Sequence, residues 1–77
     1  MIKLVLESNN GNIVIYRFQP EGKGEFGKVE YNRKGRKASI IKAAEESSLF
    51  FSNKVLYKIK EIVEDKHCPE KYMIAWH

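Results

Sequence analysis

The sequence predicts an α+β fold in which one amphipathic helix packs on one face of a mainly antiparallel sheet of about five strands. Four segments in the first half of the chain have strand-like patterns separated by turn residues. A later segment has helical spacing, and the last segment alternates again. The predicted element order is therefore β-β-β-β-α-β. At 77 residues, the chain has room for a single domain, 1–77.

The first two strands are predicted to form a hairpin. Apolar residues alternate over 2–7, a second apolar run covers 13–18, and Asn9–Gly11 lies between them. Gly11 readily adopts the positive φ that a tight turn requires. A three-residue loop places six large apolar side chains on one face. The expected pairs are Leu6 with Val14, Leu4 with Tyr16 and Ile2 with Phe18.

A second hairpin follows a loop that contains proline and glycine. Phe26–Tyr31 alternates, although Gly27 is expected to weaken this strand or to mark a bulge. Asn32–Gly35 fits a type I turn. The returning segment, about 37–43, is ambiguous, because 39–46 also fits a short capped helix. Two isoleucines directly after a turn favour the strand.

The helix is the element with the most regular spacing. Its apolar stripe consists of Val55, Leu56, Ile59, Ile62 and Val63. Ser52 is the expected N-cap, and Pro69 predicts an end at Lys66 or His67.

The last segment, 71–77, alternates with apolar residues on both faces. Tyr72, Ile74 and Trp76 share one face, and Met73 and Ala75 share the other. Because such a strand is rarely left at a sheet edge, we expect it to insert beside an N-terminal strand.

Excess positive charge is concentrated in one segment, 32–44. This segment contains five basic and no acidic residues, whereas charges elsewhere nearly cancel. A basic turn can grip phosphates, and a nearby aromatic ring can stack on an unpaired base. The candidate contacts with an anion or a nucleic acid are Lys28, Tyr31, Arg33, Lys34, Arg36 and Lys37. Charged turns of this kind are more often simply solvated surface with no ligand, and this alternative stays open.

The second face of the predicted sheet is a candidate interaction surface. One helix covers one face only, yet several aliphatic residues point to the other. The candidates are Val5, Ile13, Ile15 and Met73. An exposed apolar surface of this kind often marks association, so we expect a homodimer or a partner protein to bury it. The alternative is an ordinary scatter of surface aliphatics.

Composition and local motifs predict a cytoplasmic chain with no membrane segment. Cys68 is the single cysteine, which excludes an intramolecular disulfide and suits a reducing compartment. The N-terminus lacks the long apolar region of a signal peptide, and no window is apolar enough to span a membrane.

The candidate chemical groups do not predict an enzyme. His67, Cys68 and His77 are potential metal ligands, but adjacent ligands do not match the spacing of structural zinc sites. We therefore predict no catalytic residue, metal or cofactor. The predicted function is a small non-enzymatic protein-interaction module that binds an unidentified partner or self-associates through the open face of the sheet, with nucleic-acid binding through the basic turn at 33–37 as the alternative.

Overall fold

The computed structural model describes residues 1–20, 24–44 and 49–75, which form a five-stranded antiparallel sheet with one helix packed on it. The strands are β1 (Ile2–Asn9), β2 (Ile13–Pro20), β3 (Gly27–Asn32), β4 (Lys37–Lys42) and β5 (Lys71–Ile74), and the helix is α1 (Leu49–Lys60). A π-helical turn, Glu61–Asp65, continues α1. The strand order is β4-β3-β2-β1-β5. The predicted fold class and element order are confirmed.

The core lies between the sheet and the helix. We call the sheet face that packs against α1 the covered face, and the opposite one the open face. Strand residues buried on the covered face are Ile2, Leu4, Val14, Tyr16, Phe18, Val29, Tyr31 and Ile74. The helical segment contributes Val55, Ile59, Ile62 and Val63, with Leu56 partly buried beside them. The apolar stripe predicted from the helical spacing is therefore confirmed.

The pairing of β1 with β2 is shifted by two residues from the predicted one. Leu4 lies opposite Phe18 and not opposite Tyr16. A shift of two leaves every side chain on its face, so hydrophobic alternation cannot distinguish the two registers. The shift accompanies a bulge in β1 at Glu7 and a turn that includes Gly11, whose φ is 95°. The predicted apolar face is confirmed, and the predicted pairs are wrong.

The ambiguous segment after the second turn is a strand. β4 covers Lys37–Lys42, so the alternative of a helix starting at Ser39 is wrong, while 45–46 lie outside the described residues. Tyr31 pairs with Ala38 on the neighbouring strand, and the extra residue of a bulge is Ile41.

Gly27 has a different role from the predicted one. The bulge lies in β4, and Gly27 begins β3 where two backbone segments come close together. A Cβ atom on Gly27 would lie 2.6 Å from the backbone nitrogen of Ala44 and 2.7 Å from the carbonyl oxygen of Lys42. This approach requires the absence of a side chain.

The helix begins earlier than predicted. α1 starts at Leu49, so Ser52 lies inside the helix and is not its N-cap. The helical segment ends with Lys66 as its C-cap, which confirms the predicted end. His67 and Cys68 then adopt positive φ angles of 61° and 52°, which turn the chain towards β5.

β5 pairs with β1, which confirms the expected neighbour. It nevertheless forms an edge of the sheet, contrary to the expectation drawn from its two apolar faces. Ile74 faces the core, and Met73 lies on the open face. Trp76 and His77 of the predicted strand lie outside the described residues. Among the described residues, no helix is long and apolar enough to cross a membrane.

Candidate interaction surface

The open face contains all four aliphatic residues that the sequence predicted for it. Val5, Ile13 and Ile15 are half-buried there, and Met73 is 50% exposed. They alternate along their strands with residues of the covered face, as a period of two requires. α1, the helix of the described part of the chain, contacts the covered face and leaves these residues accessible.

The aliphatic residues do not form one continuous apolar patch. Val5 lies between Arg17 on β2 and Lys71 on β5, and Met73 lies opposite Lys3. Charged side chains therefore separate Met73 from the isoleucines of β2. The open face is better described as aliphatic side chains interspersed with charges.

The charges of the open face are predominantly positive. The register places Lys3, Arg17, Lys28, Lys37, Lys42 and Lys71 on this face, together with Glu7 and Glu30. The open face therefore carries six positive and two negative side chains. Its net charge of +4 equals the net charge of the whole chain. Such a surface attracts anionic partners and repels cationic ones.

A group of side chains at the centre of the open face shows how it can hold a carboxylate. The carboxylate of Glu7 lies 3.2 Å from Lys28 Nζ and 3.7 Å from Arg17 Nε. The Arg17 guanidinium also lies over the Phe26 ring, 5.3 Å from its centroid. Its Nε is buried and donates no hydrogen bond within the described residues. One acid therefore faces two cations, and this group keeps a positive charge.

The basic turn, which we define as Arg33–Lys37, is anchored by backbone contacts to the first hairpin. The N–H of Arg33 donates to the carbonyl oxygen of Asn12 at 2.9 Å, and the N–H of Lys34 donates to the side-chain oxygen of Asn12 at 3.3 Å. Arg36 closes the turn with a positive φ of 52°. The four cations of this turn form no ion pair with any residue that the structure describes.

Tyr31 does not belong to the surface of the basic turn. Its side chain is 1% exposed on the covered face, and its hydroxyl donates to the Glu64 carboxylate. Burial raises the pKa of Tyr31 to about 12, and the hydrogen bond and charge of Glu64 act in the same direction. A ring buried in this way is not available for stacking on a base, which weakens the prediction that Tyr31 contacts a nucleic acid.

Lys28 is also separate from the basic turn. It lies on the open face, near the end of β3 that is far from the turn, and it pairs with Glu7. At about 3.3 Å per residue, five residues place it roughly 16 Å along the strand from Arg33. Lys28 therefore belongs to the open face. The basic turn keeps Arg33, Lys34, Arg36 and Lys37, and Lys37 belongs to both because it ends the turn and begins β4 on the open face.

The end of the helical segment packs against the same end of the sheet as the basic turn. Arg33 Nη2 donates to Cys68 Sγ at 3.1 Å, and the Tyr16 hydroxyl donates to the carbonyl oxygen of Pro69. Burial raises the pKa of Tyr16 to about 12, with the charge of Cys68 adding to the effect. These contacts fix the connection to β5.

The described residues contain no group of three or more His, Cys, Asp or Glu side chains that could hold a metal ion. Of the three ligands considered from the sequence, His67 and Cys68 lie at the helix end. His77 lies outside the described residues.

Sequence reasoning missed most of the cations of the open face. Lys3, Arg17, Lys42 and Lys71 were not predicted as site residues, because the charge excess was assigned to a sequence segment and not to a face. The signal was present in the alternation. Lys3 has the same parity in β1 as Val5, and Arg17 has the same parity in β2 as Ile15.

Comparison of the chain with protein-family models, with curated proteins and with solved structures found no match. The open face and the basic turn are the two features of the described residues that indicate a function.

Proposed function

We propose that this chain is a small non-enzymatic protein-interaction module that binds its partner through the open face. The observation that supports the proposal is the asymmetry of the sheet. The covered face contributes the core, whereas the open face keeps Val5, Ile13, Ile15 and Met73 accessible between charged side chains. Interfaces between proteins that also exist separately are about as apolar as the rest of the protein surface, so a face of aliphatic side chains interspersed with charges is compatible with one.

The partner in this proposal is a different protein and not a second copy of the chain. A symmetric dimer through the open face would bring two identical surfaces together, each with six cations and two acids. Like charges in contact oppose association and select against the wrong partner. A heterologous partner can supply the missing negative charge.

Nucleic-acid binding through the basic turn is the second candidate function. It is supported by four neighbouring cations, Arg33, Lys34, Arg36 and Lys37, that form no ion pair within the described part of the chain, although Arg33 donates a hydrogen bond to Cys68. It is weakened by the burial of Tyr31, which removes the expected stacking ring. The remaining contacts would be with phosphates and would carry no sequence preference.

A photo-crosslinking experiment tests the proposed function. A photoreactive amino acid replaces Met73 on the open face in one sample and Tyr57, which is 83% exposed on α1, in a matched control. Both proteins are irradiated in a lysate of the source organism, with and without nuclease. We expect a discrete nuclease-resistant protein adduct at position 73 and none at position 57. The same adducts at both positions, or adducts that nuclease removes, would contradict the proposal.

A further inference from the structure

We infer that the open face binds an acidic, aliphatic protein segment, whose carboxylates face Arg17 and Lys28 and whose aliphatic side chains contact Val5 and Ile15. The inference rests on the proposed function and names the chemistry of the partner. It follows from three properties of the open face, namely the sign of its charge, the geometry of its centre and the position of its aromatic residues.

The sign of the charge is the first argument. The open face carries a net charge of +4, and the residues concerned come from all five strands. Cations that lie far apart in sequence converge on one surface only because the strands place them there. An acidic partner would both neutralise this surface and be drawn to it over a distance.

The centre of the face provides the second argument. Glu7 shows that a carboxylate fits between Arg17 and Lys28, at 3.7 Å and 3.2 Å from their nitrogens. Because one carboxylate faces two cations there, a second carboxylate can approach without displacing Glu7. The guanidinium has five N–H donors in a planar fork and accommodates more than one acceptor.

The spacing of this group defines the partner further. Ile15 and Arg17 are two residues apart on β2, so their side chains leave the sheet about 7 Å from each other. Val5 lies directly opposite Arg17 on β1. A matching segment therefore needs an acidic and an aliphatic side chain that project about 7 Å apart on one face.

The aromatic residues distinguish a protein from a nucleic acid as the occupant. Tyr16, Phe18 and Tyr31 of the strands are all buried on the covered face. Among the described residues, no strand position of the open face carries an aromatic ring, and the Phe26 ring next to this face is half-buried with the Arg17 guanidinium over it. Aliphatic side chains between the cations suit an acidic protein surface and add little to phosphate binding.

Amide chemical-shift titration of the whole chain tests the inference. The probes are a short peptide in which glutamate and leucine alternate at every second position with serine between them, the same peptide with glutamine in place of glutamate, and a short single-stranded RNA. We expect the acidic peptide to shift amides of β1 and β2 around Val5 and Arg17, and to bind at least tenfold more tightly than the glutamine peptide. Binding is expected to weaken with added salt.

Three double variants locate the binding site. Arg17→Gln/Lys28→Gln removes the central cations, and we expect about a tenfold loss of affinity for the acidic peptide. The control Lys60→Gln/Lys66→Gln removes the same charge from exposed positions of the helical segment, and we expect less than a twofold change. Lys3→Gln/Lys71→Gln, at exposed positions of the open face, provides a second test should the central variant fail to fold.

Several results would overturn the inference. The first two are equal losses of peptide affinity in the open-face and control variants, and equal affinity for the glutamate and glutamine peptides. The other two are amide shifts confined to the basic turn, and tighter binding of RNA than of the acidic peptide at the open face. If crosslinking at Met73 captures a protein partner whose binding Arg17→Gln/Lys28→Gln leaves unchanged, the inference fails while the proposed function stands. If neither peptide nor lysate protein contacts the open face, both fail.

Discussion

The two faces of this sheet are built from the same strands, yet they are subject to different constraints. Leu4 and Val5 are neighbours in β1, but Leu4 is fully buried against the helix side and Val5 is half-buried between charges. Residues of the covered face must fit a close-packed core, whereas those of the open face must only remain compatible with a strand. Because core packing constrains the open face less, binding to a partner can determine which residues occur there.

The neighbouring pair Leu4 and Val5 gives the most direct test of this difference. Leu4→Ala leaves a cavity in the core, and we expect it to lower the free energy of unfolding by about 3 kcal/mol. Val5→Ala removes a side chain of the open face, and we expect a loss of about 1 kcal/mol or less. Urea unfolding followed by circular dichroism measures both. Equal losses would show that the open face is also part of a packed core.

Substitution of Gly27, with Gly35 as its control, tests how closely the backbone packs at the start of β3. Gly27→Ala forces a Cβ to within 2.7 Å of backbone atoms of Lys42 and Ala44, which cannot move aside independently. We expect a loss of about 2 to 3 kcal/mol in the free energy of unfolding. Gly35→Ala is the matched control, because the nearest atom to its Cβ would be 4.0 Å away. We expect the control to change stability by less than about 0.5 kcal/mol. A tolerated alanine at Gly27 would mean that β3 and the chain after β4 are not in close contact.

Polar groups also differ between the two faces, and pH makes the difference measurable. The pKa of Tyr31 is raised from 10.0 to about 12 in the folded chain, so the unfolded chain loses this proton first as pH rises. The stabilisation from the protonated hydroxyl is fully present below pH 10 and is lost as pH rises towards 12. Tyr16 contributes in the same direction.

The variant Tyr31→Phe is expected to cost about 1 to 2 kcal/mol at neutral pH, since the hydrogen bond to Glu64 is lost. It is also expected to show a shallower loss of stability between pH 10 and pH 12 than the unmodified chain. Urea midpoints across this range provide the measurement. An unchanged slope would show that the pKa of Tyr31 is the same in the folded and the unfolded chain.

The sequence predicted the covered face well, because hydrophobic periodicity reports burial directly. The alternation in β1 and β2 and the helical stripe identified nine of the thirteen buried hydrophobic residues among those that the structure describes. The register of the first hairpin was missed, because a bulge at Glu7 and a shift of two residues leave the faces unchanged. The role of Gly27 was missed for a related reason, since the approach of the chain around Ala44 is a tertiary contact without a local pattern.

The candidate site was predicted less completely than the fold. Alternation correctly indicated Val5, Ile13, Ile15 and Met73 as residues of the second face. When charges are counted along the sequence, the excess of cations lies in the basic turn. When they are counted across the paired strands, an excess of cations appears on the open face. That second count requires the strand order and the register, which non-local pairing determines and local sequence does not.

The smallest predicted effect concerns Arg36 in the basic turn. It tests whether the backbone conformation at this position would favour glycine over arginine. Arg36 has a φ of 52°, a conformation in which a side chain costs about 1 kcal/mol relative to glycine. Arg36→Gly removes this strain but loosens the unfolded chain, so we expect a net gain of about 0.5 kcal/mol in the free energy of unfolding. Arg36→Ala is the control, because it removes the same charge and retains the Cβ.

We expect the alanine control to show no such gain, and we expect both variants to bind the acidic peptide at the open face as the unmodified chain does. A gain in stability for glycine alone would mean that an arginine occupies this position against the preference of the backbone. The basic turn would then warrant a function of its own, separate from that of the open face. Equal stability of the two variants would instead indicate that the turn imposes no preference for glycine, and Arg36 would require no explanation beyond a solvated turn.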